Sequence, residues 1–419
     1  MSKLRKQESA QASNIFQFNL AGLILFSVAL IGGATLTTFD LTAKSGPKLA
    51  ASLAVDPHDK SRSAHSGPWG ELITREIELE RPVEFLNAEL PAGLPEWSFK
   101  GMKAAEVKSL LLRDGLPAAQ AAALLAPGAV TEVADGTRVK PPADFLLNLC
   151  AATRGKLYPA LAGLGVNTDL DYPYIFPGDT IDSIYNTPQL NPDDLALLKK
   201  LVYNNGAARQ MSDYEFLLWK IPTPERRVAM AKVLSRQHAV FASLAIKPDT
   251  DIDKLLDYWR LSPNERNTDA RPLLEALKAL PEGGNLSLLY LLPKFARDRL
   301  YTFPMASLPG GPLPDCHWTT FNFSSETPDN RFNDPAYPVQ YISQNCHQID
   351  APSRYGDILL LMNDAKELKH SAVYLADDLV FTKNGKNSMQ PWMIMHIPDL
   401  LATYPTTPPM HVVFVRKAE

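Results

Sequence analysis

Prolines make up 35 of the 419 residues in this chain, about 8 % against roughly 5 % in an average protein. Because proline fixes φ and lacks a backbone donor, it ends helices and is excluded from the middle of a sheet. The sequence therefore predicts many short elements with abrupt ends. Hydrophobic residues at 45 % and charged residues at 21 % are typical of a globular protein. This balance excludes a wholly disordered chain and a protein with many membrane spans.

The charge and the cysteines exclude two further classes. A formal net charge of −4 gives no basic footprint, so we do not expect nucleic acid as a partner. Three cysteines, Cys150, Cys316 and Cys346, are too few for a disulfide scaffold. A zinc site is disfavoured because Cys316 and Cys346 each precede a histidine directly, whereas zinc ligands are usually separated by two or more residues. The sequence implies no cofactor.

The N-terminal segment is basic and then apolar. Lys3, Arg5 and Lys6 precede an uncharged stretch that runs from residue 9 to residue 39. Its apolar centre, with the residues up to Phe39, would cover about 30 Å as a helix, which is the thickness of the hydrocarbon core of a bilayer. Basic residues on the N-terminal side favour a cytoplasmic N-terminus. We therefore predict a single-pass signal anchor in the inner (cytoplasmic) membrane, with the bulk of the chain extracytoplasmic.

Secretion after signal cleavage is the alternative. Small residues at Gly32-Gly33-Ala34 and at Leu41-Thr42-Ala43 offer sites for a signal peptidase. In either case the membrane or its outer side is the expected environment of the folded part.

Residues 1–43 are thus assigned to the basic end and the anchor, and residues 44–95 to a linker with one short strand. From residue 96 the pattern becomes helical. Helix starts are marked by Asn191-Pro192, by Thr223-Pro224 with a helix through Phe241, and by Asp249 or Asp251 with a helix through Leu261. Residues 96–300 are therefore expected to form an α-helical domain, whose role the sequence does not indicate.

After residue 300 the sequence changes to short runs rich in β-branched and aromatic residues. Strands are predicted over residues 355–362, 370–375, 379–383 and 411–416, with turns at Asp377-Asp378 and Asn384-Gly385. Local connections imply an antiparallel sheet. Before these strands, Asp315 is placed to cap a helix that begins at Cys316.

A cysteine at a helix start and a distant histidine on a strand are the elements of nucleophilic catalysis. The positive end of the helix favours a thiolate at Cys316. His370, at the opening of a strand about fifty residues later, is the candidate proton acceptor and donor.

The order of these residues resembles the NlpC-type family of papain-like cysteine peptidases. The matching features are Asp315-Cys316, then Gly356-Asp357 at a strand entry, and then the strand that begins His370-Ser-Ala-Val-Tyr374. The resemblance covers at most residues 301–419. It implies a papain-like domain with a small antiparallel sheet, so the predicted fold class is α+β: a transmembrane helix, an α-helical middle domain and this C-terminal α+β domain.

The resemblance also implies roles for single residues. Cys316 corresponds to the nucleophile and His370 to the general base. Thr382 falls where the family has the residue that orients the imidazole, and Tyr301 matches a tyrosine that polarises the substrate carbonyl. Asn384, two residues after Thr382, is the alternative for the third position.

The sequence departs from the family at several of these positions. His317-Trp318 follow the nucleophile where the family has Ser-Gly, Ala372 stands where the strand usually has glycine, and Thr382 replaces His, Asn or Gln. The expected function is a membrane-anchored extracytoplasmic cysteine hydrolase acting on an amide bond, with a cell-wall peptide as the candidate substrate. The alternatives are a catalytically silent papain-like module for binding or assembly, and an anchored helical scaffold.

Overall fold

The computed structural model describes residues 65–83, 86, 93–167, 170, 173–176, 180–205, 208–261, 270–304, 313–386, 389–404 and 410–418. Elements in these ranges are short, as the proline content predicts. Among the described residues the longest α-helix has 12 residues and the longest strands have 10.

The strands in the described residues are β1 His65–Gly67, β2 Gly70–Leu79, β3 Trp97–Lys100, β4 Val130–Val133, β5 Gly136–Val139, β6 Tyr174–Phe176, β7 Tyr203–Asn205, β8 Ala208–Met211, β9 Gln237–Ile246, β10 Gly284–Ser287, β11 Cys346–Ile349, β12 Ile358–Met362, β13 Leu368–Ala376, β14 Leu379–Lys383, β15 Trp392–His396 and β16 His411–Lys417.

The α-helices in the same ranges are α1 Ala104–Arg113, α2 Ala118–Leu124, α3 Ala143–Asn148, α4 Ala151–Ala162, α5 Thr180–Tyr185, α6 Pro192–Leu201, α7 Tyr214–Lys220, α8 Pro224–Leu234, α9 Ile252–Tyr258, α10 Arg271–Lys278, α11 Lys294–Arg297, α12 Cys316–Phe321, α13 Ala336–Asn345 and α14 Ile397–Ala402. Two 3₁₀ turns, Leu288–Leu291 and Asn330–Asn333, accompany them.

The strands form antiparallel sheets. Their orders are β1-β2-β9-β10, β3-β5-β4, β6-β8-β7 and β11-β16-β12-β13-β14-β15. Only the last of these lies wholly within the C-terminal part where a sheet was predicted.

The predicted fold class is therefore wrong. The described chain is a mixture of helices and four antiparallel sheets, not an all-helical middle domain followed by one sheet. Among the described residues no helix is both long and apolar enough to cross a membrane. The stretch predicted to span the bilayer, residues 9 to 39, lies outside the described residues.

The middle of the chain was misjudged where a strand follows a helix without an obvious break. The helix that begins at Pro224 ends at Leu234 and does not continue through Phe241. Residues 237–246 instead form β9, which pairs along most of its length with β2, from Glu71 opposite Ala245 to Leu79 opposite Gln237. This pairing joins segments about 160 residues apart, so the local pattern of side chains does not reveal it.

The predicted helix starts are confirmed. Asn191 accepts a hydrogen bond from the backbone N–H of Asp193, and Thr223 accepts one from the N–H of Arg226. Asp251 caps its helix in the same way, although that helix ends at Tyr258, before Leu261. A cap needs only neighbouring residues, which is why sequence reasoning finds it.

The hydrophobic core runs across the boundary predicted at residue 300. One cluster of buried side chains joins Leu72, Leu244 and Trp259 to Val373 and Phe381 on the C-terminal sheet. A second cluster, with Leu359, Ala372, Val380, Met393 and Phe414, covers the other face of that sheet. Strands β12, β14 and β15, and β13 from His370 onward, are thus buried on both faces. Polar side chains in these strands are enclosed by apolar ones. Four of them belong to the candidate site described below, those of His370, Ser371, Thr382 and Lys383.

Candidate active site

Cys316 is the first residue of α12, as the sequence predicts. Asp315 caps the helix, its Oδ1 accepting a hydrogen bond from the N–H of Trp318 at 2.8 Å. The thiol is only 4 % exposed, because the helix lies against the C-terminal sheet. The cap is local, but the burial of the thiol comes from packing that the sequence does not show.

His370 and Thr382 lie together on adjacent strands. The Nε2 atom of His370 is 3.0 Å from the hydroxyl of Thr382, and both residues are completely buried. Their proximity comes from the hairpin at Asp377-Asp378, which connects β13 to β14 and sets their register. The structure thus brings together the histidine and the residue expected to orient it.

A chain of hydrogen bonds defines the state of the His370 ring. The hydroxyl of Thr382 donates its only proton to Oδ1 of Asn384 at 3.3 Å. Toward His370 it can therefore only accept, so Nε2 of His370 carries a proton and donates a hydrogen bond to it. Nδ1 is then the nitrogen with the lone pair. That lone pair accepts a hydrogen bond from the hydroxyl of Tyr404, 2.8 Å away. The two rings also pack at 4.6 Å between centroids.

Cys316 meets the sheet at Ser371. The hydroxyl of Ser371 lies 2.9 Å from Nδ1 of His317 and 3.5 Å from the carbonyl oxygen of Cys316, so its side chain faces α12. Successive side chains on a strand point to opposite faces, which directs His370 away from the helix. In the described part of the chain no hydrogen bond joins the sulfur of Cys316 to the His370 ring.

Burial sets the charge states of both groups. It raises the pKa of the Cys316 thiol to about 12, with the charge of Asp315 acting in the same direction. The N–H of Ser371 and the side chain of Lys383 oppose this shift but do not overcome it. Burial also lowers the pKa of His370 well below its ordinary value, and His317 adds to the effect. At neutral pH the pair is therefore a thiol and a neutral imidazole.

Tyr301 and Asn384 are placed differently from their predicted roles. The hydroxyl of Tyr301 donates to the carbonyl oxygen of Val240 on β9 at 2.6 Å, so it is engaged outside the cluster. Asn384 contacts Thr382, and its amide nitrogen reaches the sulfur of Met395 at 3.4 Å. Thr382, not Asn384, is the residue that touches His370.

Two members of the cluster were not identified from the sequence. Tyr404 reaches His370 from the turn after α14, 34 residues further along the chain, and no sequence signal points to it. Lys383 follows Thr382 on β14 and is completely buried. A lysine among the apolar residues of this strand was a usable signal, because an ammonium is rarely buried without a reason.

Among the described residues no group of three or more His, Cys, Asp or Glu side chains is arranged to hold a metal ion. Comparison of the chain with protein-family models, with curated proteins and with solved structures finds no match.

Proposed function

We propose that the C-terminal part of this chain is a thiol hydrolase that acts on amide bonds, with Cys316 as nucleophile and His370 as general base. The observation that carries the proposal is the contact between His370 Nε2 and the Thr382 hydroxyl at 3.0 Å. This contact fixes the imidazole so that Nδ1 carries the lone pair. The next residue of the strand is Ser371, whose backbone N–H acts to lower the pKa of the Cys316 thiol. A base held in one tautomer is one requirement of this chemistry. The other is that His370, which the strand directs away from α12, approaches the thiol.

The structure corresponds to the resting state of the proposed enzyme. The Tyr404 hydroxyl occupies the nitrogen that has to accept the thiol proton. Burial and the charges of Cys316 and Asp315 raise the pKa of Tyr404 well above its ordinary value, so it remains a donor. Tyr404 therefore has to withdraw before the reaction, and its withdrawal also gives a substrate room beside the ring.

The reaction then proceeds in two stages. The Cys316 proton moves to His370 Nδ1, the sulfur attacks the amide carbonyl carbon, and the imidazolium returns the proton to the leaving amine. This leaves an acyl group on Cys316. His370 next takes a proton from water, the hydroxide attacks the thioester, and Cys316 leaves as a thiolate that recovers the proton. A backbone N–H at the start of α12 supplies one oxyanion donor.

The substrate class and the location are part of the proposal. The resemblance to NlpC-type peptidases supports a peptide or amide substrate, with a cell-wall peptide as the first candidate. Lys3, Arg5 and Lys6 before the uncharged stretch support a location of the folded part outside the cytoplasm.

An amine-release assay tests the proposal. The full chain and its Tyr404→Phe variant are incubated with short peptide amides, including cell-wall stem peptides, and the released amines are quantified. We expect release by both proteins, faster with Tyr404→Phe, and none by Cys316→Ala. Release that survives Cys316→Ala would assign the hydrolysis to another group.

A catalytically silent module for binding or assembly is the second candidate. The observation that favours it is the enclosure of both groups, with Cys316 4 % exposed and His370 0 % exposed. A silent module would bind peptides, but neither the wild-type chain nor its Tyr404→Phe variant would release amine. The remaining alternative is an anchored scaffold whose C-terminal sheet is unrelated to peptidases, and it predicts neither binding of peptides nor release of amine.

A further inference from the structure

Lys383 is a lysine inside an otherwise apolar strand. It is 0 % exposed, and the residues before it on β14 include Leu379, Val380 and Phe381. Its Nζ donates to the carbonyl oxygen of Gly385 at 2.7 Å. Taking an ammonium out of water is costly unless an opposite charge lies near it. The groups that face Lys383 therefore decide what it does.

The register of the sheet places Lys383 on the same face as Cys316. Lys383 lies directly opposite Trp392 on β15, and opposite residues of an antiparallel pair share a face. The indole N–H of Trp392 donates to the hydroxyl of Thr319 at 3.0 Å, so this face carries α12. Thr319 follows Cys316 by three residues and shares its side of the helix. Lys383 thus lies under the first turn of α12.

Several charged groups act at this turn, and one of them is Lys386, which adds to the effect of burial in lowering the pKa of His317. Lys383 faces Cys316 and Asp315 from α12. Burial lowers the pKa of Lys383 to about 8, while both of these groups act to raise it. Tyr404 also faces Cys316 and Asp315, but it stays protonated and carries no charge. His317, the next residue of the helix, has a lowered pKa because it too is buried.

Asp315 creates the need for a cation here. Its carboxylate caps α12 and so has to lie beside Cys316, where its charge opposes a thiolate. His370 becomes a cation when it takes the thiol proton, but its side chain points to the other face of the sheet. Lys383 is on the face where the second negative charge develops.

We propose that Lys383 is a positioning residue whose ammonium balances Asp315 and holds Cys316 as a thiolate for attack. This inference rests on the proposed function, because it concerns the same nucleophile. No bond to Lys383 changes: the Cys316 proton goes to His370, and the ammonium keeps its three protons.

The test is the pH dependence of alkylation, which needs no substrate. The full chain is treated with iodoacetamide between about pH 6 and pH 10, and the modification of each cysteine is quantified by peptide mass spectrometry. Lys383→Met and Lys383→Gln remove the charge, and the amide of Gln can still donate to Gly385. Lys383→Arg keeps the charge, and Lys369→Met removes an exposed lysine of β13 as a matched control.

We expect the neutral variants to slow alkylation of Cys316 about tenfold near pH 7, where Lys383 carries its charge, and the difference to shrink above about pH 8, where Lys383 loses its proton. Lys383→Arg restores most of the rate. Cys346, a buried thiol whose pKa burial raises to about 11, serves as internal control and should not change. Urea unfolding of each variant shows that the fold is kept.

An unchanged rate of Cys316 alkylation near pH 7 in a folded neutral variant would overturn the role of Lys383, whatever happens to catalysis. An equal loss of rate at Cys346, or with Lys369→Met, would overturn it too, because the effect would then be general. A loss of rate at Cys316 alone, in a protein that releases no amine from any peptide, would uphold the role of Lys383 and overturn the proposed hydrolase.

Discussion

Replacement of Tyr404 by phenylalanine should open the site. The ring that packs on His370 is kept, and only the hydroxyl that donates to Nδ1 is lost. Nδ1 is then a buried acceptor without a donor, which costs the closed arrangement about 1 to 3 kcal/mol. Because 1.4 kcal/mol corresponds to a factor of ten, the open fraction should rise about 5- to 150-fold.

The rate of Cys316 alkylation by iodoacetamide at neutral pH measures this change. The rate should increase by the same factor, since the reagent reaches the thiol through the open state. Tyr355→Phe is the matched control, because it also removes a buried tyrosine hydroxyl, one that donates to the carbonyl oxygen of Leu291 at 3.2 Å. It should lower stability without exposing Cys316. An equal rate increase in both variants would show that lower stability alone exposes the thiol. The Tyr404 hydroxyl would then not be the group that closes the site.

Three further expectations concern the base and the location. Thr382→Val keeps the volume but removes the hydroxyl that holds His370, so the reaction of Cys316 should slow about ten- to a hundredfold, a loss of about 1 to 3 kcal/mol; an unchanged rate would leave His370 and Cys316 as a dyad. Because the folded pKa of His370 lies below its unfolded value, the unfolded state binds more protons in acid, and stability should fall as the pH drops below about 6.5. Thermal unfolding of wild type and His370→Gln across pH 5 to 8 checks this, since the variant should lose part of the slope. A reporter enzyme that is active only after export, fused after Glu419, should be active; activity of a reporter restricted to the cytoplasm would contradict the predicted location.

The parts of the site that could be predicted depend on neighbouring residues. Asp315 caps the helix that begins at Cys316 through a hydrogen bond to the N–H of Trp318, three residues along the chain. Thr382 is placed by counting along the family pattern without a gap, and this succeeds because the hairpin at Asp377-Asp378 is short and keeps β13 and β14 adjacent. Local turns and caps are encoded by their own residues, so the pattern of the sequence is sufficient there.

The rest depends on contacts between distant segments. The strand at residues 237–246 exists because it pairs with β2, far away in the sequence. Tyr404 acts on His370 only because α14 folds back over the sheet. Cys150 lies among leucines in the sequence, yet it precedes α4 and is exposed, with its thiol 3.2 Å from the hydroxyl of Thr153.

The most direct test of the central claim is whether His370 controls the reactivity of Cys316. The full chain and its His370→Ala variant are treated with an acyloxymethyl ketone, a reagent that alkylates thiols in the geometry of amide attack. Labelling of Cys316 and Cys346 is followed by peptide mass spectrometry. His370→Ala is expected to slow labelling of Cys316 at least about a hundredfold, the contribution expected of a general base, and to leave labelling of Cys346 unchanged. Equal labelling of Cys316 in the two proteins would contradict the central claim.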